Sequence, residues 1–404
     1  MSSGAVPHNP PRSAQTRTAA GRAAYLGALI TLAFGLLIFC ADPRGHAWDF
    51  HQFYAVGSLP ADQTFDVDAQ RAMEERLWRE YRPMVEEFNF SPYLKPAYYR
   101  LVWVPLAKLD FWTAYRVWVA LQVAAFLSAM TLLGKRYGLD SALVLLLPMC
   151  PYLLLSFTWG QDTGLLLLIL ALSLELSLRG REGWGGATLA LGLFKWNTIL
   201  LLPLLFLVQK RWRTVRGFAA VAVVEVLLSV WITGTAGVRD YFALATSPET
   251  SYWSYLMPSV RGVALAVGAP ASLSWAVALG AIAVFLWRAR GLDLEKSYAA
   301  GVSIGVFLAI HTMGYDLLLP VMAIVMLYDR LSVGWKAPLV VFYLSPMPYM
   351  AQKLTDMRFN GLAAALFALV VAIALSLQRG EQPIETAAED ESPKAIGAGA
   401  GSPA

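Results

Sequence analysis

Apolar runs close to the length that crosses a lipid bilayer recur along this chain from Tyr25 to Gln378, and that repetition is incompatible with a fold dissolved in water. A helix rises 1.5 Å per residue, so about 20 apolar residues cover the roughly 30 Å of hydrocarbon. Lipid offers the backbone no hydrogen-bond partner, so a spanning segment must close its own bonds as a helix. The expected fold class is therefore all-α, a polytopic transmembrane helical bundle. Composition agrees, since 57% of the 404 residues are hydrophobic and 15% are charged, against roughly a quarter charged in soluble domains. A net charge of +4, scattered along the chain, argues against nucleic acid as a partner. Cys40 and Cys150 both fall inside apolar runs, where a thiol behaves as a small hydrophobe. No disulfide framework, metal motif or cofactor is expected.

Short basic loops set the threading, because Lys and Arg accumulate on the cytoplasmic side. Arg12, Arg17 and Arg22 place the N-terminal segment 1–23 inside, ahead of a first span at 24–41. Asp42-Pro43-Arg44-Gly45 follows it in place of a small-residue cleavage site, so this run reads as a retained helix. The first outer loop, 42–111, mixes a charged amphipathic helix over 67–88 with a Pro and aromatic stretch over 90–105, suited to lie on the membrane surface. Further spans fall at 112–133, 140–157 and 164–178. The run 184–208 then conflicts with simple alternation, because basic residues flank both its ends. A hairpin of two short helices with Lys195-Trp196-Asn197 at its tip resolves the conflict and carries Lys195 outward. Beyond it come a span at 214–233, a short re-entrant candidate at 259–268, and spans at 271–287, 297–312, 313–328, 337–352 and 359–377. The count is about twelve spans. The tail 379–404 is rich in Glu, Pro, Ala, Gly and Ser and is expected to be disordered in the cytoplasm.

Ionisable groups near the hydrocarbon are costly and mark function when nothing else accounts for them. Asp49 follows the first span closely and suits a general base, although a helix cap or a solvated loop carboxylate accounts for it as well. Lys195, between Phe194 and Trp196, calls for an anionic ligand unless it snorkels to the interface. Arg261 is placed to join it on a phosphate group, or else to touch lipid headgroups at the rim. His311, Tyr315 and Asp316 offer imidazole, hydroxyl and carboxylate groups to sugar hydroxyls, with a helix-to-helix histidine bond as the competing account. Gln161 and Asp162 stand at the outer start of the 164–178 span, where an aspartate is ordinary as a cap. The threading brings Asp49, Gln161, Lys195, Arg261 and His311 to one face.

In order along the chain, Asp49-Phe50 with Phe53-Tyr54, Val104-Pro105-Leu106-Ala107 with Ala114-Tyr115 and Trp118, Gly160-Gln161, Gly192-Leu193-Phe194-Lys195 and His311 with Tyr315-Asp316 resemble the family-87 glycosyltransferases of the GT-C superfamily. The resemblance covers most of the chain. It implies a GT-C transmembrane domain over 24–378, at the plasma membrane with both termini cytoplasmic. It further implies a polyprenyl-phosphate-linked sugar donor such as the mannose conjugate, and a glycolipid or envelope glycan acceptor met on the outer face among membrane lipids. The sugar is transferred with inversion, and Asp49 matches the acidic residue that deprotonates the acceptor. Pro92-Tyr93-Leu94-Lys95-Pro96 and Tyr98-Tyr99 stand where the family usually has a Tyr-Pro-Pro type stretch. Relatives that use arabinofuranosyl donors leave the sugar open. A lipid or glycolipid transporter is the reading from another class, and the long first outer loop without a counterpart in the second half speaks against its usual repeat symmetry.

Overall fold

A computed structural model describes residues 47–81, 88, 90–138, 147, 150–245, 257–328, 343, 347–354 and 360–379. The expected first span 24–41, the segment before it, the loop 246–256, most of the 337–352 run and the tail beyond Arg379 lie outside the described residues. Within them every regular element is helical. Helix α1 (Phe50–Ser58) and the amphipathic α2 (Val67–Tyr81) belong to the expected outer loop, followed by a 3-10 turn at Ala97–Tyr99 and α3 (Arg100–Leu106). Then come α4 (Phe111–Tyr137), α5 (Pro151–Trp159), α6 (Thr163–Leu178), α7 (Glu182–Ala190), α8 (Trp196–Ile199) and α9 (Leu201–Val208). The chain continues through α10 (Trp212–Ala245), α11 (Val260–Ala266), α12 (Ala271–Ala289), α13 (Leu294–Leu308), a 3-10 turn at Gly314–Leu318, α14 (Val321–Leu327), α15 (Met347–Leu354) and α16 (Gly361–Arg379).

Three of the described helices, within α4, α10 and α12, are long and apolar enough to cross a membrane, and α5 with α6 qualifies as a pair bent by 118°. The protein is thus a membrane-embedded helical protein. Several of the other apolar runs form shorter helices, such as the 15 residues of α13 and the 7 of α14. Local chemistry sets the boundaries. The Asp110 carboxylate accepts from the Thr113 N–H to start α4, and Gly138 at φ 74° ends it, the conformation glycine adopts at least cost. In α10 the helical path breaks at Gly234, φ 70° and ψ 178°, directly after the expected span end at 233.

The run 184–208 does fold back on itself. It breaks between α7 and the 3-10 turn Leu193–Lys195, and at its base Arg211 Nη1 lies 2.8 Å from Glu182 Oε1. Nearby ends confirm the grouping. Arg136 pairs with Glu175 at 2.7 Å, the Tyr137 hydroxyl lies 2.9 Å from Glu295 Oε1, and Gln209 Nε2 donates to Ala289 O at 2.8 Å. The ends of α4, α6, α9 and α12 and the starts of α7 and α13 therefore sit together, and Lys195 sits at the opposite end. Glycines let α7 lie directly on α10, because a Cβ on Gly186 would fall 1.9 Å from Thr214 O and one on Gly217 the same distance from Gly183 O.

That contact yields the first prediction. Gly186→Leu is expected to push α7 from α10 and lower the thermal midpoint of the purified protein, by more than the ~1–3 kcal/mol typical of overpacking. Gly280→Leu, on an open face of α12, is the control and should leave the midpoint unchanged; equal midpoints for the two variants would refute the contact.

Candidate functional site

The site begins with a turn held from two sides. Between α5 and α6, Gly160 adopts φ 74°, ψ 31°, and a Cβ there would meet the Phe50 Cβ at 2.7 Å. From α4, Trp118 Nε1 donates to Gly160 O at 2.8 Å and the Tyr115 hydroxyl to Thr158 O at 3.0 Å. From the chain entering α1, Ala47 N donates to Thr158 O at 2.7 Å and Asp49 N to Trp159 O at 3.1 Å. Phe50 and Phe53 of α1 pack among Trp103, Phe111 and Tyr115, with Phe53 stacked 4.6 Å from Trp103. Arg100 of α3 donates to Val56 O at 3.1 Å and to Leu59 O, satisfying carbonyls at the end of α1. The base of α1 and the 158–162 turn are thereby locked together.

Asp49 occupies the position before α1, yet its side chain caps no helix N–H. Gln161 Nε2 donates to its Oδ2 at 2.6 Å instead. Burial pushes the Asp49 carboxyl up to about 6, against the opposing pull of Gln161, His51, Lys195 and Lys95. Gln161 Oε1 is buried with no hydrogen-bond partner in the structure, so an acceptor atom beside Asp49 remains available.

Asp162 likewise caps nothing. Its Oδ1 lies 3.0 Å from Lys195 Nζ and its Oδ2 3.0 Å from Lys95 Nζ. Lys195 also meets Asp316 Oδ1 at 2.6 Å and Thr163 Oγ1 at 3.0 Å, and stands 4.9 Å over the Tyr315 ring. Asp316 is fixed by its other oxygen, which accepts from Met313 N at 3.0 Å. The result is an alternating chain of charge, Lys95, Asp162, Lys195, Asp316, drawn from four distant segments. Asp49 joins this chain through the turn, since Gln161, which donates to it, and Asp162 are consecutive residues. In the loop after α2, burial lowers the Lys95 ammonium to about 8, opposed by Asp162.

The structure therefore gathers Asp49, Gln161, Lys195, Tyr315 and Asp316 in one network. His311 and Arg261 sit beside it and are tied through backbone carbonyls: Asn197 Nδ2 donates to His311 O, and Arg261 Nη1 to Ile310 O at 3.2 Å. The His311 Nδ1 is buried without a hydrogen-bond partner in the structure. Two members escaped the sequence reading. Asp162 has the local signature of an ordinary helix cap, and Lys95 lies in a Pro and aromatic stretch with no periodicity to place it. Behind α1, His51 Nε2 lies 3.1 Å from Glu74 Oε2 of α2, both buried, and burial raises the Glu74 carboxyl.

Removing an interior member of a buried ion network strands its neighbour. Lys195→Met is expected to cost about 3–5 kcal/mol of stability, and Lys195→Met with Asp316→Asn less than the sum of the single changes, read from thermal unfolding; strict additivity would separate the two residues. Asp49 has its own pH signature. The folded carboxyl keeps its proton to about 6 and the unfolded one only to the ordinary 3.8, so stability should fall as pH rises between those values, by about 3 kcal/mol. Asp49→Asn should erase that limb and be the more stable protein at pH 7.5; an unchanged pH profile would contradict the buried carboxyl.

A family model described as glycosyltransferase family 87 matches residues 93–320, more than half of the chain. The matched stretch contains Lys95, Asp162, Lys195, His311 and Asp316, and Asp49 lies upstream of it. No curated protein matches, and no solved structure does.

Proposed function

The chain belongs to glycosyltransferase family 87, and from that membership we propose that it moves mannose from a polyprenyl-phosphate donor to a lipid-linked or envelope glycan acceptor, inverting the anomeric carbon. In this proposal the molecule is a GT-C bundle of about twelve spans in the plasma membrane, with Asp49 and its neighbours on the outer face. The donor's lipid tail lies between helices. Its phosphate faces the cationic groups of the network, Lys195 within it and Arg261 on α11. The sugar and the acceptor meet Gln161, His311, Tyr315 and Asp316.

The carrying observation is the Asp49 carboxyl, which caps no helix, accepts from Gln161 at 2.6 Å and is raised by burial to about 6. A base is most effective with a pKa near the working pH. The acceptor oxygen attacks C1 of the sugar, its proton passes to Asp49, and the bond from C1 to the phosphate oxygen breaks with its electron pair leaving on the phosphate. Positioning of the two substrates and charge stabilisation at the phosphate supply the remaining acceleration.

The test uses purified full-length protein with polyprenyl-phosphate-mannose and, separately, polyprenyl-phosphate-arabinose, scored for released lipid phosphate in the presence of glycolipid acceptors. Turnover with the mannose donor is expected, with an acidic limb near pH 6. Asp49→Asn should lower the rate at least ~10²-fold while donor binding persists. An active, normally expressed Asp49→Asn removes the base assignment, turnover with the arabinose donor alone reassigns the sugar, and turnover with neither donor favours the transporter.

A further inference from the structure

Lys195 is the cation that the sequence singles out, and protein oxygens already crowd it. An ammonium group carries three N–H donors and accepts nothing. Lys195 Nζ has three protein oxygens within 3.0 Å, from Asp162, Asp316 and Thr163, and its side chain is 6% exposed. A phosphate oxygen would have to enter a shell in which the ammonium already bonds Thr163 and Asp316 and pairs with Asp162. Arg261 has a guanidinium nitrogen engaged with Ile310 O.

Lys95 differs on each count. Among the described residues its ion pair is with Asp162 Oδ2 alone, at 3.0 Å, and its side chain is 13% exposed against 0% for that aspartate. One carboxylate oxygen occupies one of three donors. The ammonium stands between two aromatic faces, 5.8 Å from the Phe53 ring and 5.7 Å from the Phe194 ring, which favour a cation and offer no hydrogen-bond acceptor. Its backbone is anchored on both sides. Tyr93 N donates to Gln70 Oε1 of α2 at 3.0 Å, and Pro96 restricts Lys95 to extended conformations ahead of the Ala97–Tyr99 turn. Tyr99 of that turn stacks on Phe194 at 4.3 Å, beside Lys195. Gln161 and Asp162, adjacent in the chain, hold Asp49 and Lys95 respectively, and Asp49 feels the charge of both lysines.

We infer that Lys95 is the residue that contacts the phosphate of the lipid-linked donor, and that Lys195 is a positioning residue, orienting Lys95 through the aspartate they share. This rests on the donor proposed above. During transfer the bond from the sugar C1 to the phosphate oxygen breaks, that oxygen keeps the electron pair, and the acceptor's proton goes to Asp49. Lys95 meets the charge that appears on the phosphate with its unused N–H groups, and Asp162, held by Lys195, keeps the ammonium from turning away.

The experiment compares binding of polyprenyl phosphate and of the uncharged polyprenol of equal length to the full-length protein in nanodiscs. The wild type is expected to prefer the phosphate. Lys95→Met should weaken phosphate binding about 10- to 100-fold, leave the alcohol unchanged and lower kcat, while Lys95→Arg restores most of the preference. The Met variant leaves Asp162 paired with Lys195, and an unchanged thermal midpoint verifies its fold. Phosphate preference and turnover retained in Lys95→Met would overturn the assignment while the donor class stands. Equal losses on phosphate and alcohol would overturn it as well, by showing a structural role. A wild type without phosphate preference would remove the donor class itself and the inference with it.

Discussion

Charge buried near hydrocarbon must be paired, and the arrangement of this end of the protein follows from how that requirement is met. Asp162 is fully buried between Lys95 and Lys195, each at 3.0 Å, and Asp316 completes the row. Residues 95, 162, 195 and 316 come from the stretch before α3, the turn before α6, the hairpin tip and a 3-10 turn. Each segment is poorly fixed by its own sequence. Together they hold one another in place, because withdrawing Asp162 or Lys195 leaves an unpaired ion in a medium that solvates it badly. Such a network adds little net stability over an apolar equivalent, but it does determine where four separate segments must sit.

Neutral contacts then align Asp49 with this row. The 158–162 turn is the shared element: Trp118 and Tyr115 hold its carbonyls from α4, the chain at Ala47 and Asp49 donates to it from the other side, and Gly160 allows Phe50 to approach. Gln161 and Asp162 are consecutive residues of that turn. One points to the base and the other to the two lysines, so the distance between base and cations is fixed by two adjacent residues rather than by distant packing.

The sequence made the helical class and the reversal of 184–208 readable, since each follows from apolar run length and from the placement of Arg and Lys. The amphipathic helix from Val67 was equally legible, whereas the span expected to end at 233 continues past the break at Gly234 to Ala245. The pairing partners were not legible. Asp162 before an apolar run carries the same local signature as a capping aspartate, and only three-dimensional proximity shows that it caps nothing. Lys95 precedes a proline in an aromatic loop with no helical periodicity to place it. The sequence does show that Lys195 needs an anion at depth, but it does not distinguish an anion supplied by the protein from one supplied by a ligand. The apolar runs also overstate regularity, since several of them fold as short broken helices instead of full-length spans.

That distinction bears on how the proposed chemistry would proceed. The row Lys95, Asp162, Lys195, Asp316 has two positive and two negative members, so it is neutral when all four are ionised. In the proposed transfer one negative charge disappears from Asp49 as it takes a proton, and one appears on the departing phosphate. The net charge of the site is unchanged, and what changes is its position, from the Gln161 side of the turn to the Lys95 side. A neutral frame whose ions are already paired needs no reorganisation to accept that displacement, and preorganised dipoles of this kind account for much of enzymatic charge stabilisation. A site built on an unpaired Lys195 would have held the anion more strongly before reaction and gained less as the charge developed, because only interactions that strengthen in the transition state accelerate the step. The self-neutralising row is therefore better suited to moving charge than to binding it.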